Sequence, residues 1–357
     1  MDEQNKCKPR AVIKFAGAFI AWVIGSGFAT GQEVLQFFSS YGYWSYGVVL
    51  IDLIGFLFLG RALLLTGYDN KERQGFNQFK YFCGEKLGAF YSLLIPITLL
   101  LIMPVLISGA GATLSEYYGI NHYVGSAVMA AMVLCAYLIG FERLIKVVSS
   151  IGPVIIAFAL LVGAVTVIRD FDQFSDVPSY ESVLSKSQSS PHWLISAVLY
   201  LSLNFLCGST YFTQLGISAD NRKEAKYGAM VGAAALVLAI GIMSSAILFD
   251  AKDTAQLAIP MLFLAKKLSY VFGAVFSVVL IFGIFSSCAT MMWTVCNQFT
   301  RGGQKGNRIF AVCVAVFTFI LGLFSFSELV GLFYPLVGYI GLIFVGCVVY
   351  KEIKGDK

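Results

Sequence analysis

"AWVIGSGFATGQEVLQFF", residues 21–38, decides the reading of this chain. The stretch lies in the first long apolar run, yet it holds three glycines, Ser26, Thr30, Gln32 and Glu33. A polar, glycine-rich interruption inside a segment able to enter a bilayer raises two alternatives. Small residues let membrane helices pack closely. A broken helix instead leaves backbone N–H and C=O groups free, which hydrocarbon does not tolerate unless protein, water, an ion or a solute satisfies them. Gly25, Gly27 and Gly31 do not share one helical face, and Gln32 and Glu33 follow at once. Packing alone therefore fits less well than an unwound segment.

The surrounding sequence is that of a polytopic membrane protein. Of 357 residues 58% are hydrophobic and 13% charged, against about 45–50% and about 25% in soluble domains. Runs of the length needed to cross ~30 Å of hydrocarbon predict ten spans, at 11–38, 44–66, 88–114, 124–140, 144–168, 192–217, 226–249, 270–297, 308–325 and 329–350. Residues 253–268 are too short and too charged at their ends to span and are expected as a surface helix between spans seven and eight. With both termini inside, the external segments keep only Arg169, Lys186, Lys252, Lys266 and Lys267 of 25 Lys and Arg. This asymmetry is the positive-inside pattern. The +5 net charge then reports topology and gives no indication of nucleic-acid binding. A multi-pass protein with both termini cytoplasmic is expected.

The acidic external segment 169–191 divides the spans five and five, into 1–168 and 192–357. An odd number of spans per half gives the halves opposite polarity, the condition for an inverted repeat. Span six, the counterpart of span one, reads "AVLYLSLNFLCGSTYFTQLG", with Asn204, Cys207, Gly208, Ser209 and Thr210 clustered centrally. The pair points to discontinuous helices 1 and 6 around a central site. A break there offers N–H groups to an anion and carbonyls to a cation. An amino acid or other small zwitterion matches both poles, as does a carboxylate carried with a cation.

"IGSG" followed by a polar outer half-helix, ten spans and a second interruption in span six resemble the LeuT fold of the amino acid–polyamine–organocation superfamily. The string "IGSGFATGQEVLQFF" resembles the YkvI-like family of bacterial inner-membrane proteins. The resemblance implies an all-α, ten-helix 5+5 inverted repeat and an ion-coupled transporter. It places a substrate carboxylate at the break formed by Gly25, Ser26 and Gly27. It places Ser202, Asn204 and Phe205 around the substrate, with Asn204 where relatives have glycine. It assigns the carbonyls of Ala21 and Ile24, with Ser286 and Ser287, to a sodium ion. One register aligns Ser286 and puts Phe285 at the second hydroxyl; a shift by one residue restores both serines.

Glu33 is expected six residues past Gly27 and below the outer interface. An ionisable group in a span defaults to a functional role. It has four readings: a proton-coupling carboxylate, a partner for a substrate ammonium, an outer gate, or a structural hydrogen bond. Asp52 is a second intramembrane acid. The chain has no P-loop, HExxH or GxSxG signature, so no cofactor is expected beyond Na⁺ or H⁺ as coupling ion. Partners are then a small-molecule substrate, that ion and the lipid bilayer. A receptor binding a small ligand without significant transport is the alternative, and a membrane enzyme the third class. No transition-metal site is expected, because no CxxC pair occurs and His122 and His192 sit at the membrane edge.

Overall fold

A computed structural model describes residues 8–140, 152–299 and 304–355. The first part of predicted span five, with Arg143 and Lys146, lies outside the described residues, as does Cys7. All regular structure among the described residues is helical. In chain order the α-helices are α1 Pro9–Val23, α2 Ser26–Ala29, α3 Gln32–Phe37, α4 Ser45–Asp69, α5 Gln78–Tyr118, α6 His122–Ile139 and α7 Gly152–Arg169. They continue with α8 Glu181–Leu184, α9 Trp193–Ile217, α10 Arg222–Phe249, α11 Ala251–Thr254, α12 Pro260–Leu268, α13 Tyr270–Phe299, α14 Gln304–Leu321 and α15 Phe326–Lys354.

Local chemistry sets the ends. Asn77, Asn121 and Asn221 stand just before α5, α6 and α10, and each side-chain oxygen accepts an N–H of the first turn, which satisfies a donor the helix cannot. α5 and α6 stop at Gly119 and Gly140, both left-handed.

Among the described residues, eight helical stretches are long and apolar enough to cross a membrane: 39–69, 78–118, 122–139, 152–169, 193–217, 222–249, 270–299 and 326–354. Two of the ten expected spans miss that standard, each for a physical reason. The first is divided into pieces of 15, 4 and 6 residues, and 15 residues rise only about 22 Å. The ninth carries an apolar stretch of only Asn307–Leu321.

The helices interlock across the expected midpoint of the chain. α1 packs on α10 while α9 packs on α4, and α4 also meets α10. α5 packs on α13, α6 on both α13 and α14, and α15 on α9 and α5. The expectation of a discontinuous sixth span is not met. α9 is one uninterrupted helix of 25 residues. Most of its polar cluster bonds its own helix: Asn204 Nδ2 donates to Tyr200 O at 2.9 Å and Ser209 Oγ to Leu206 O at 3.0 Å, while Thr210 Oγ1 accepts Gln78 Nε2 of α5 at 2.6 Å. Gly208 serves close approach, since a Cβ there would strike the indole nitrogen of Trp22.

A second expectation is also corrected. Residues 253–268 do not form a surface helix. The segment enters the bundle, with Ile259, Met261, Leu264 and Ala265 fully buried. Its apolar residues outnumber its charges, and Lys266 and Lys267 fall at the C-terminal end of α12.

Candidate functional site

α1 ends because its backbone stops repeating. Ile24 leaves the helical region (φ −81°, ψ 72°) and Gly25 is extended (φ −84°, ψ −175°). Ile24 N–H still reaches Ile20 O, but Gly25 N–H turns back to Val23 O at 2.9 Å. Among the described residues no backbone N–H is bonded to the carbonyls of Ala21 or Ile24, and no backbone carbonyl to the N–H of Gly27 or Phe28. The break lies at Ile24–Gly25, and a second follows. Thr30 Oγ1 donates to Gly27 O at 2.6 Å and accepts Gln32 N–H at 3.2 Å. Gly31 then takes a left-handed conformation (φ 87°) before α3 begins, a geometry that glycine adopts without penalty.

Glu33 in α3 is 9% exposed and points back at the break. A Cβ on Gly27 would lie 2.8 Å from Glu33 Oε1, 3.2 Å from the Tyr334 hydroxyl and 3.4 Å from Leu106 Cδ2. The missing side chain at position 27 is thus the room the carboxylate occupies. The Tyr334 hydroxyl of α15 thus shares that space with the carboxylate. Sequence reading missed Tyr334; its one signal is the Tyr-Pro step, Tyr334–Pro335, inside a span.

The other expected site residues are partly dispersed. Ser26 opens α2, which α13 packs against. On α13, Ser286 is buried and Ser287 half-buried, and Ser286 O accepts Thr290 Oγ1 at 2.9 Å. Ser202 turns its backbone towards Gly341 of α15, and Phe205 joins an aromatic cluster with Phe56 and Phe212. Asn204 spends its amide on its own helix. Of the substrate group, Gly27 therefore lies against Glu33, while Phe205 is taken up by the aromatic cluster.

The segment between α10 and α13 covers the break. Met261 N–H donates to Thr30 O at 3.0 Å. The Glu116 carboxylate, at the end of α5, accepts Ala258 N–H at 2.8 Å and Ile259 N–H at 3.1 Å. Gln32, with its amide oriented to satisfy both ends, donates to Leu257 O and Ala258 O. The segment predicted to be external also docks here: Ser189 N–H donates to Gln36 O at 3.0 Å, and Tyr41 Oη to Ser190 O at 2.7 Å. An ion cluster flanks the cover. Lys267 meets Asp250 at 2.6 Å and Asp170 at 3.8 Å, and Arg169 grips Asp170 through two bonds. That guanidinium holds the Asp170 carboxyl below the usual carboxylate range.

Fold and site together define a multi-pass, all-helical membrane protein whose first span is broken beside a buried carboxylate. No protein-family model matches the chain. It is similar to the Bacillus subtilis uncharacterized membrane protein YkvI, 25% identical over 353 residues and 95% of each chain. It is also similar to YyaD of the same organism, 21% identical over 344 residues, 96% of this chain and 98% of YyaD. Among solved structures, two variants of the Eremococcus coleocola manganese transporter align with a TM-score of 0.53 and 14% identity, covering 95% of this chain and 77% of theirs. At that identity the likeness concerns the fold.

Proposed function

We propose that the chain is a secondary active transporter, working by alternating access, that carries a small zwitterionic or organic solute, most readily an amino acid, with Na⁺ or H⁺. The observation that carries this reading is the broken first span: it leaves main-chain groups unpaired beside the buried Glu33 and Tyr334, under a cover of main-chain hydrogen bonds. Free N–H groups at Gly27 and Phe28 suit a carboxylate, and Glu33 with the Tyr334 hydroxyl suits an ammonium. The carbonyls of Ala21 and Ile24, with Ser286 and Ser287 on α13, remain the sodium candidates.

Helix contacts support the 5+5 inverted repeat of the LeuT-like arrangement. Numbering the ten expected spans and exchanging the halves, the α1–α10 contact becomes the α9–α4 contact and the α6–α13 contact becomes α14–α5; α4–α10, α5–α13 and α6–α14 map onto themselves. Two-fold-related halves predict this pattern. In the same reading both termini lie in the cytoplasm and the covered side faces out. Manganese is the solute of the structurally similar protein. The described residues here offer no group of three His, Cys, Asp or Glu side chains placed for a metal ion.

The test is a thermal-shift screen of amino acids, amines, carboxylates and Mn²⁺ on the purified protein, each with Na⁺ or K⁺ at two pH values. Hits are then followed as uptake into proteoliposomes under imposed ion gradients. A zwitterion that shifts the midpoint and accumulates against its gradient supports the proposal. Binding without flux under any gradient supports a receptor. A response to Mn²⁺ alone overturns the organic-solute reading.

A further inference from the structure

Asp52 sits in the middle of α4, fully buried, and neither carboxylate oxygen has a hydrogen-bond partner among the described residues. An ionised carboxylate in such surroundings is strongly disfavoured unless a cation or several donors compensate it. The elements packed on α4 supply neither. α9 brings Tyr200, whose ring packs on Phe56 of α4 at 6.2 Å and whose buried hydroxyl has no hydrogen-bond partner among the described residues. α10 meets this part of α4 where Val49 approaches Gly241, and its Arg222, Lys223, Glu224 and Lys226 all lie in its first turns. The turn at Ser39–Trp44 offers Tyr41 and Tyr43, whose hydroxyls bond Ser190 O and Phe174 O. α15 offers Tyr334, which lies by Glu33, and Tyr339, which is exposed. α1 touches α4 through Phe19 on Phe56, and its Lys14 is exposed.

We propose that Asp52 is a proton-binding site of the covered conformation, taking H⁺ rather than Na⁺. A sodium ion needs several oxygen ligands converging on one point, and Asp52 brings two oxygens with no hydroxyl or carbonyl paired to them. A proton needs only the carboxylate. The step is simple: Asp52 O⁻ takes H⁺ from H₃O⁺, leaving water, when its surroundings open, and gives it to water as H₃O⁺ on the other side. Within the transport reading, on which only this direction of movement rests, Asp52 is then a coupling-proton carrier distinct from Glu33.

Infrared spectroscopy of the full chain in proteoliposomes, with carboxyl-¹³C aspartate incorporated and no solute added, tests the site between pH 5 and 9. The expected result is a label-shifted carbonyl band of a protonated aspartic acid at pH 7, absent in Asp52→Asn and unchanged by adding NaCl. The labelled wild type carries the test even if Asp52→Asn does not fold. Absence of a protonated aspartate band at pH 7 overturns the proposal. So does a band that NaCl removes at fixed pH, which would make Asp52 a cation ligand. Because no solute is present, a failed solute screen leaves this result standing, and a failed spectrum leaves the transport reading standing.

Discussion

Glu116 holds the cover through two charge-assisted bonds, to Ala258 N–H at 2.8 Å and Ile259 N–H at 3.1 Å. Hydrogen bonds to charged groups contribute about 1.5–3 kcal/mol each, and the Ala258 bond is exposed to solvent, which discounts it. Together they amount to about 2–3 kcal/mol. Glu116→Ala should therefore shift the covered–uncovered balance about 30- to 150-fold towards uncovering, at 1.4 kcal/mol per factor of ten. The amide of Met261 is the reporter. It bonds Thr30 O at 3.0 Å and not Glu116, so its exchange with deuterium measures departure of the whole segment rather than loss of the deleted partner. Hydrogen–deuterium exchange by mass spectrometry on peptides that begin at Ile259, and so carry no reporting amide before Met261, reads the change, with helices α4 and α9 as the check on folding. Unchanged Met261 exchange in a folded Glu116→Ala protein would refute the assignment of Glu116 as the tie.

Gly27→Ala must displace Glu33 Oε1, 2.8 Å from the new Cβ, and the Tyr334 hydroxyl at 3.2 Å, whereas a Cβ on Gly25 meets nothing within 4 Å. Solute affinity should fall about 5- to 150-fold for Gly27→Ala, an overpacking cost of about 1–3 kcal/mol, and hold for Gly25→Ala, both read by titration calorimetry. Gly67→Ala drives its methyl into the backbone carbonyl of Thr213 at the α4–α9 crossing. Thermal unfolding in detergent should show a loss of about 1–3 kcal/mol or more, with Gly17→Ala, which meets nothing within 4 Å, unaffected. Arg169 lowers the Asp170 carboxyl below its unfolded value of about 3.9. Stability from this pair is thus present above about pH 4 and lost as pH falls through the lower folded value. Asp170→Asn should be less stable near neutrality and show a flatter decline below about pH 4 in denaturation followed by circular dichroism.

The break at Ile24–Gly25 was legible because hydropathy, glycine placement and Glu33 all disagreed with a plain span. Span six misled for a physical reason. Asn204 and Ser209 carry donors that bond their own helix at i−4 and i−3, so a polar cluster in sequence became an intact helix. Periodicity could not distinguish that outcome from unwinding, because local side-chain bonding replaces a partner that the sequence alone seems to demand. Tyr334 and Glu116 were hidden for another reason: both act through partners more than a hundred residues away, and a single sequence does not pair distant positions. Residues 253–268 were judged by their charged ends, while burial was decided by Ile259, Met261 and Leu264 between them.

The cover over the first span is gripped by its main chain: the N–H groups of residues 258, 259 and 261 make the contacts. An alanine scan along that stretch would therefore report the burial of Ile259 and Met261 and leave the bonds to Glu116 and Thr30 in place. A proline scan would not, since proline deletes the donor and leaves the acceptor unpaired. The chain's own proline, Pro260, falls between two of those donors, at the first turn of α12 where its missing N–H costs nothing.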